Sequence, residues 1–232
     1  MKMWMRAAAL MLPMLGGCTP AQLLNSTIST DGLTVTHNVA YEPGPRHRLD
    51  VYEPDGARGL PLIVFLYGGA WRYGNKGMYP FVAATLARRG AVVMVPDYRL
   101  YPDVAFPAFL QDNAAAVAWA IHHAGSYGAD PGNVFIVGHS AGAYDAAMLA
   151  LDPHWLAAAG VDRSDLRGVV CLAGPYDFLP ITGKDVIPIF APVHDGPASQ
   201  PITFVDGHNP PMLLLAGTAD TTVQPRNTAA LT

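Results

Sequence analysis

One serine in this sequence stands where a nucleophile would be placed. Gly138-His139-Ser140-Ala141-Gly142 follows the apolar run "NVFIVG" and precedes the small-residue stretch "AGAYDAAMLAL". That order reads as a strand, a sharp turn and a helix, with the Ser140 hydroxyl pushed out beyond the sheet edge. Gly138 and Gly142 leave no side chain where the two backbones crowd together. Ala141 opens the helix, so its N–H can face a developing oxyanion with the helix dipole behind it. A plain N-cap serine is the alternative, but a cap does not need glycine on both sides. A serine hydroxyl is a weak nucleophile at neutral pH. It needs a base, and the base needs an acid to orient it.

The segments around Ser140 must supply the frame. "LTVTHNVAY" and "HRLDVYEP" alternate with period two across "EPGPR" and predict an antiparallel pair. "LPLIVFLYGG", "AVVMVPDY", "NVFIVGHS", "LRGVVCLAG" and "PPMLLLAG" are apolar runs that predict buried strands. Helices are predicted between them: "MYPFVAATLARRG" ending at Gly90, "FPAFLQDNAAAVAWAIHHAGSYG" with Pro107 near its start, and "AGAYDAAMLAL". Alternating strands and helices call for an α/β fold, a mainly parallel sheet covered on both faces. Ligands of such sheets bind beyond the carboxyl ends of the strands. The segments there are "YGGAW", "PDYR", "GHSAG", "AGPYD" and "AGTADTTV".

With these segments in place, the chain from about Leu33 to Thr232 resembles the α/β-hydrolases. Within them it is similar to the carboxylesterase and hormone-sensitive-lipase-like serine esterases that carry an HGG-type loop. The resemblance implies a three-layer α/β sandwich and hydrolysis of short-chain carboxylic esters through an acyl-enzyme. It implies that "LYGGAWRYG" is the oxyanion loop, where the N–H groups of Gly69 and Ala70 join that of Ala141. The loop departs from the family in having Tyr67 where a bracing histidine is usual. A phenol can also hydrogen-bond, so the loop is expected to keep its shape. Trp71, His139 and Asp177 are expected around the substrate pocket, with core packing an equal reading for Trp71. "LLLAGTADTTVQP" matches the family's acid-bearing segment and makes Asp220 the acid, ahead of Asp177 in "AGPYDFLP". Asp97 and Arg99, in "PDYR", are expected to brace structure. An amide hydrolase of the same fold, arylformamidase-like or peptidase-like, fits the same residues. So does a non-catalytic lipoprotein binding module.

The base is harder to place. His37 and His47 fall in the predicted hairpin, His122 and His123 in mid-helix, and His154 and His208 away from the strand ends. The ring of His139 should point away from its neighbour's hydroxyl. His194 lies in the motif-free segment 180–207, which is expected to wall or cover the pocket; His194 could approach from there but is not favoured. In the family the histidine follows one more helix and strand after the acid. The expectation is therefore a catalytic domain truncated at its C-terminus, lacking the final strand and helix and impaired for want of a base, with "PMLLLAG" left as an apolar sheet edge.

Composition bounds the rest. The chain has 232 residues, 51% hydrophobic and 14% charged, with net charge −4. That suits one globular domain. Its basic residues, among them Arg46, Arg58, Arg88, Arg163 and Arg226, are scattered, so no basic stripe suggests nucleic acid. Residues 1–17 carry Lys2 and Arg6 before an apolar run too short to span a bilayer, as a secretory signal does. "LGGC" resembles a lipobox, which implies lipidation of Cys18. The expected organisation is a lipoprotein signal peptide (1–17), a polar tether (18–32) and a catalytic domain (33–232) held on the periplasmic side of a bacterial envelope membrane, favouring the outer membrane. Cys171, in "GVVCLAG", reads as a small buried hydrophobe. No metal or cofactor motif appears, and serine hydrolysis of a small ester needs neither.

Overall fold

The computed structural model describes residues 20–193 and 195–232. The signal segment, Cys18 and His194 lie outside the described residues. Seven strands form one sheet in the order β1-β2-β4-β3-β5-β6-β7. They are β1 (Leu33–Ala40), β2 (Arg48–Pro54), β3 (Leu60–Leu66), β4 (Val92–Pro96), β5 (Ala129–His139), β6 (Leu166–Leu172) and β7 (Met212–Leu215). β1 pairs antiparallel with β2, and β2 antiparallel with β4; every other pairing is parallel. The helices are α1 (Pro20–Ser26), α2 (Pro80–Ala87), α3 (Ala108–His123), α4 (Ala141–Leu151), α5 (Pro153–Ala158), α6 (Ile187–Phe190) and α7 (Arg226–Leu231).

Register positions the site. Leu66 of β3 is level with Gly138 of β5, His139 with Leu172 of β6, and Leu172 with Leu215 of β7. Four parallel strands thus end together, and the loops that follow them meet at one edge. α3 and α4 pack on one face of the sheet and α2 on the other. α4 is buried along its whole length, which its run of alanines permits by letting its backbone approach the strands closely. Cys171 is buried behind it, and burial pushes its thiol up to about 12, so it is inert as a nucleophile.

Two expectations need correction. β3, β5 and β6 were expected to be buried on both faces, but α2 covers only the β2–β4 side of its face. Ile63, Phe65, Phe135, Val137, Val170 and Leu172 front an apolar cleft of about 690 Å³ beside α2. Next to it β7 is the outer strand of the sheet, with Leu213 and Leu215 54% and 46% exposed. The second correction concerns the tether: residues 18–32 include α1, whose Asn25 is built into the domain. Its Oδ1 accepts from Phe81 N–H (3.1 Å) at the start of α2, and its Nδ2 donates to Met78 O (3.2 Å). The polar composition of this stretch hid a side chain that satisfies an orphan helix N–H. No helix among the described residues is long and apolar enough to cross a membrane.

Candidate active site

Ser140 is held at φ 53°, ψ −119°, a conformation that non-glycine residues rarely adopt and that stores local strain. Its N–H donates to Leu172 O (2.8 Å), tying the turn to the end of β6. The flanking glycines are steric necessities. A Cβ on Gly138 would overlap the backbone of Gly142, and one on Gly142 would overlap the carbonyl groups of Leu66 and Tyr67. Gly68, which the sequence reading did not single out, belongs to the same set. Its Cβ would lie 2.8 Å from Ser140 Cβ and 2.8 Å from His139 O. The absence of a side chain at Gly68 is what lets the loop after β3 close against the turn.

That loop is bent by three successive positive φ values, Gly69 (142°), Ala70 (50°) and Trp71 (54°). Gly69 O accepts from the N–H groups of Arg72 (3.0 Å) and Tyr73 (2.9 Å), closing the bend. No hydrogen bond among the described residues uses the N–H of Gly69, Ala70 or Ala141. Ala70 and Ala141 line the cavity that contains Ser140, whereas Gly69 is not among its lining residues. Free donors beside a half-buried serine that lines the cavity are what a developing oxyanion requires.

Tyr67 keeps the loop in place, as a hydrogen-bonding substitute was expected to do. It is fully buried and stacked on Tyr98 with ring centroids 4.8 Å apart. Its hydroxyl donates to Asp97 Oδ1 (2.9 Å) and accepts from Arg46 Nη2 (2.8 Å), while its carbonyl accepts from Tyr98 Oη (2.7 Å). Asp97 Oδ1 also accepts from Lys76 N–H (2.7 Å). Arg99 makes its ion pair with Asp112 (2.6 Å) instead of with Asp97.

Trp71 is 3% exposed yet lines the cavity, so it serves both expected roles. It is boxed by Phe109, Tyr144 and Phe190 at 5.0–5.7 Å. Its Nε1–H donates to Asp145 Oδ1 (3.0 Å), and Asn113 Nδ2 donates to Asp145 Oδ2 (3.0 Å). Asp145 is fully buried on α4. Burial raises its carboxyl well above the usual range, and the two hydrogen bonds only partly oppose this. A raised folded pKa favours the neutral acid: the group's contribution is complete below its unfolded pKa and is lost as pH rises through the folded one. Asp145→Asn is therefore expected to keep the Trp71 bond and flatten the decline of stability with rising pH. Asp145→Leu, which strands two buried donors, should cost about 2–4 kcal/mol. Urea titrations of both variants across pH check this. Nothing in the spacing of Asp145 distinguished it from the apolar face of its helix.

Asp220 follows β7 and is half-buried. Its Oδ1 accepts from the N–H groups of Thr222 (2.8 Å) and Val223 (2.9 Å), which fixes the carboxylate and leaves Oδ2 without a protein partner among the described residues. Thr221, Thr222 and Val223 line the Ser140 cavity. Asp177 does not line it: its N–H, with that of Tyr176, donates to the Oδ1 of buried Asn227 (3.0 Å each), so it is a tie between the β6 loop and α7. His139 does not line it either. Strand alternation sends its ring to the opposite face, into the apolar cleft, where partial desolvation makes it harder to protonate while nearby Asp220 pulls the other way.

Among the described residues no histidine is hydrogen-bonded to Ser140. His37 bonds Asp50 (2.8 Å), His47 bonds Pro43 O (2.7 Å), His123 bonds Trp119 O (2.8 Å) and His208 bonds Asp206 O (3.0 Å). His154 lies 3.7 Å from Asp152. The Ser140 cavity is about 340 Å³. Trp71, Pro175, Phe178, Ile181 and Val186 give it apolar lining, and Thr182, Thr221, Thr222, Gln224, Arg226 and Asn227 give it polar lining. Segment 180–207 supplies part of the apolar lining. The cleft on the opposite face is larger but has no such pairing of polar groups, so size is a poor guide here. No group of three or more His, Cys, Asp or Glu among the described residues could hold a metal ion.

A strained serine at a strand–helix turn, above the level ends of parallel strands, defines the α/β-hydrolase class. A truncated form of a carbohydrate esterase from gut microbiota shares the architecture, with a TM-score of 0.75 and 24% identity over 88% of this chain and 84% of that one. The chain belongs to the BD-FAE family, whose sequence model matches residues 49–232. It is similar to the isoprenylcysteine alpha-carbonyl methylesterase ICME of Arabidopsis thaliana, 34% identical over 119 residues, 51% of this chain and 28% of that protein. It is similar also to the kynurenine formamidase of Salmo salar, 32% identical over 149 residues, 62% of this chain and 47% of that protein. The match thus spans 28% to 47% of these relatives.

Proposed function

We propose that this protein hydrolyses carboxylic esters through an acyl-enzyme on Ser140. The observation that carries the reading is the meeting of the strained Ser140 with the unused N–H groups of Ala70 and Ala141 in one cavity. Ser140 Oγ attacks the ester carbonyl and gives its proton to a base. The carbonyl oxygen, now an oxyanion, accepts from the two N–H groups. Collapse expels the alcohol, and water releases the acid by the same steps. Asp220, with one oxygen fixed and one free, is suited to orient a base. The family and the methylesterase relative support an ester as substrate.

The formamidase relative keeps an amide reading alive. A panel of 4-nitrophenyl acetate and butyrate against N-formyl anilines separates the two. Esters are expected to exceed formanilides by at least about tenfold in kcat/KM, because among the described residues no group in the cavity is placed to protonate an amine leaving group. The reverse order makes it an amidase. The same proposal includes a lipid on Cys18. Cys18→Ser is expected to move the protein from the membrane to the soluble fraction on cell fractionation, since anchoring would depend on that thiol.

A further inference from the structure

Resting on the ester-hydrolase reading, we propose that the Ser140 cavity contains a carboxylate subsite headed by Arg226, so that the preferred esters carry an anionic group on an aromatic or alkyl frame. Among the described residues Arg226 is the one formally charged side chain lining the cavity. It is exposed, and among the described residues its only hydrogen bond runs from Nε to Gln224 Oε1 (3.1 Å), leaving the terminal guanidinium nitrogens unused. Three more donors line the same cavity with side-chain hydroxyls unpaired among the described residues: Thr182, Thr221 and Thr222. Among the described residues no carboxylate lines it to compete for them. A guanidinium with two free, parallel N–H groups matches the geometry of a carboxylate.

The neighbouring residue fixes the position of Arg226. Asn227 is 5% exposed and holds the N–H groups of Tyr176 and Asp177 at 3.0 Å each, while its own Nδ2 donates to Gln224 O (3.3 Å). The first turn of α7 is thereby pinned to the loop after β6. Arg226 lines the cavity from this anchored turn, together with the apolar Trp71, Phe178 and Ile181. One part of a bound ester would be dispersed against those apolar side chains and the other neutralised at Arg226.

The test compares 3-acetoxybenzoate with its neutral methyl ester, which share the same scissile acetate. A second arm measures equilibrium binding of 3-hydroxybenzoate through tryptophan fluorescence and needs no turnover. Wild type is expected to favour the anionic acetate about fivefold in kcat/KM, the scale of a solvent-accessible ion pair. Arg226→Gln should bring that ratio to about one through KM, Arg226→Lys should keep part of it, and added salt should erode it. A ratio near one in wild type, or a ratio unchanged in Arg226→Gln, overturns the subsite. If neither acetate is hydrolysed in a Ser140-dependent way, the ester reading fails by itself. The subsite then stands if Arg226→Gln weakens 3-hydroxybenzoate binding about fivefold, and falls if binding is unchanged.

Discussion

Ser140→Ala is expected to abolish covalent labelling by a fluorophosphonate while leaving the fold intact. The Ser140 side chain makes no hydrogen bond among the described residues, and alanine carries the same Cβ at φ 53°, so the strain is unchanged. The urea midpoint should therefore stay put. Ser140→Gly should also end labelling, but it removes the cost of a positive φ and is expected to stabilise the protein by about 1 kcal/mol. An inactive variant more stable than wild type is the signature of strain held at a functional site. Undiminished labelling of Ser140→Ala, located elsewhere by mass spectrometry, would sink the assignment. Turnover carries separate information. Triad members act as a unit, so losing one costs nearly as much as losing all, and a residue of roughly 10³–10⁴ over water survives from binding and the oxyanion hole. The described histidines are bonded elsewhere or face away. A fall of more than about 10³ in kcat on Ser140→Ala would show that a base does reach the hydroxyl, and His194→Ala then asks whether it is His194.

Much of this arrangement was legible because it is written in glycine and in hydrophobic period. The strand runs ending at Leu66, His139, Leu172 and Leu215, and the glycines flanking Ser140, are local signals of steric demand. Asp220 was placed by the resemblance of its segment to the family's acid-bearing pattern, and the structure adds that N–H groups within three residues fix its carboxylate. What stayed hidden depends on distant partners. Asp145 looks like one more residue of a buried helix until Trp71, seventy-four positions earlier, is brought to it. Asn227 is an unremarkable polar residue until two N–H groups fifty positions upstream need an acceptor. His139 and Asp177 were placed at the pocket by proximity in sequence to Ser140 and to a strand end. Strand alternation and a backbone tie put their side chains elsewhere. The open face of β3, β5 and β6 was equally invisible, since an apolar run does not say whether both of its faces will be covered.

The second large effect is expected at Gly142, where no rearrangement of side chains can make room. The three atoms that an added Cβ would meet there all belong to the backbone of Leu66 and Tyr67. Leu66 is hydrogen-bonded within the sheet in register with Gly138, and the Tyr67 carbonyl is held by Tyr98 Oη at 2.7 Å. Relief must therefore come from moving α4 bodily away from β3. Because α4 is buried along its whole length, such a shift opens gaps on both sides of it. Gly142→Ala is expected to cost about 3 kcal/mol, a fall in Tm of about 6–12 °C, together with loss of Ser140 labelling. Gly125→Ala is the matched control: nothing lies within 4 Å of its Cβ position, and its φ is not in the left-handed range, so its Tm should hardly move. Gly68→Ala separates packing from chemistry. Its added methyl meets Ser140 Cβ and His139 O at 2.8 Å, but Gly68 lies in a loop outside the helices and strands, whose next residues are half-buried Gly69 and exposed Ala70. It should lose less stability than Gly142→Ala and as much labelling, because a loop displaced by even part of an ångström takes the N–H of Ala70 away from the oxyanion. Equal losses of stability in the two variants would mean that the loop after β3 is as rigidly built into the core as α4 itself.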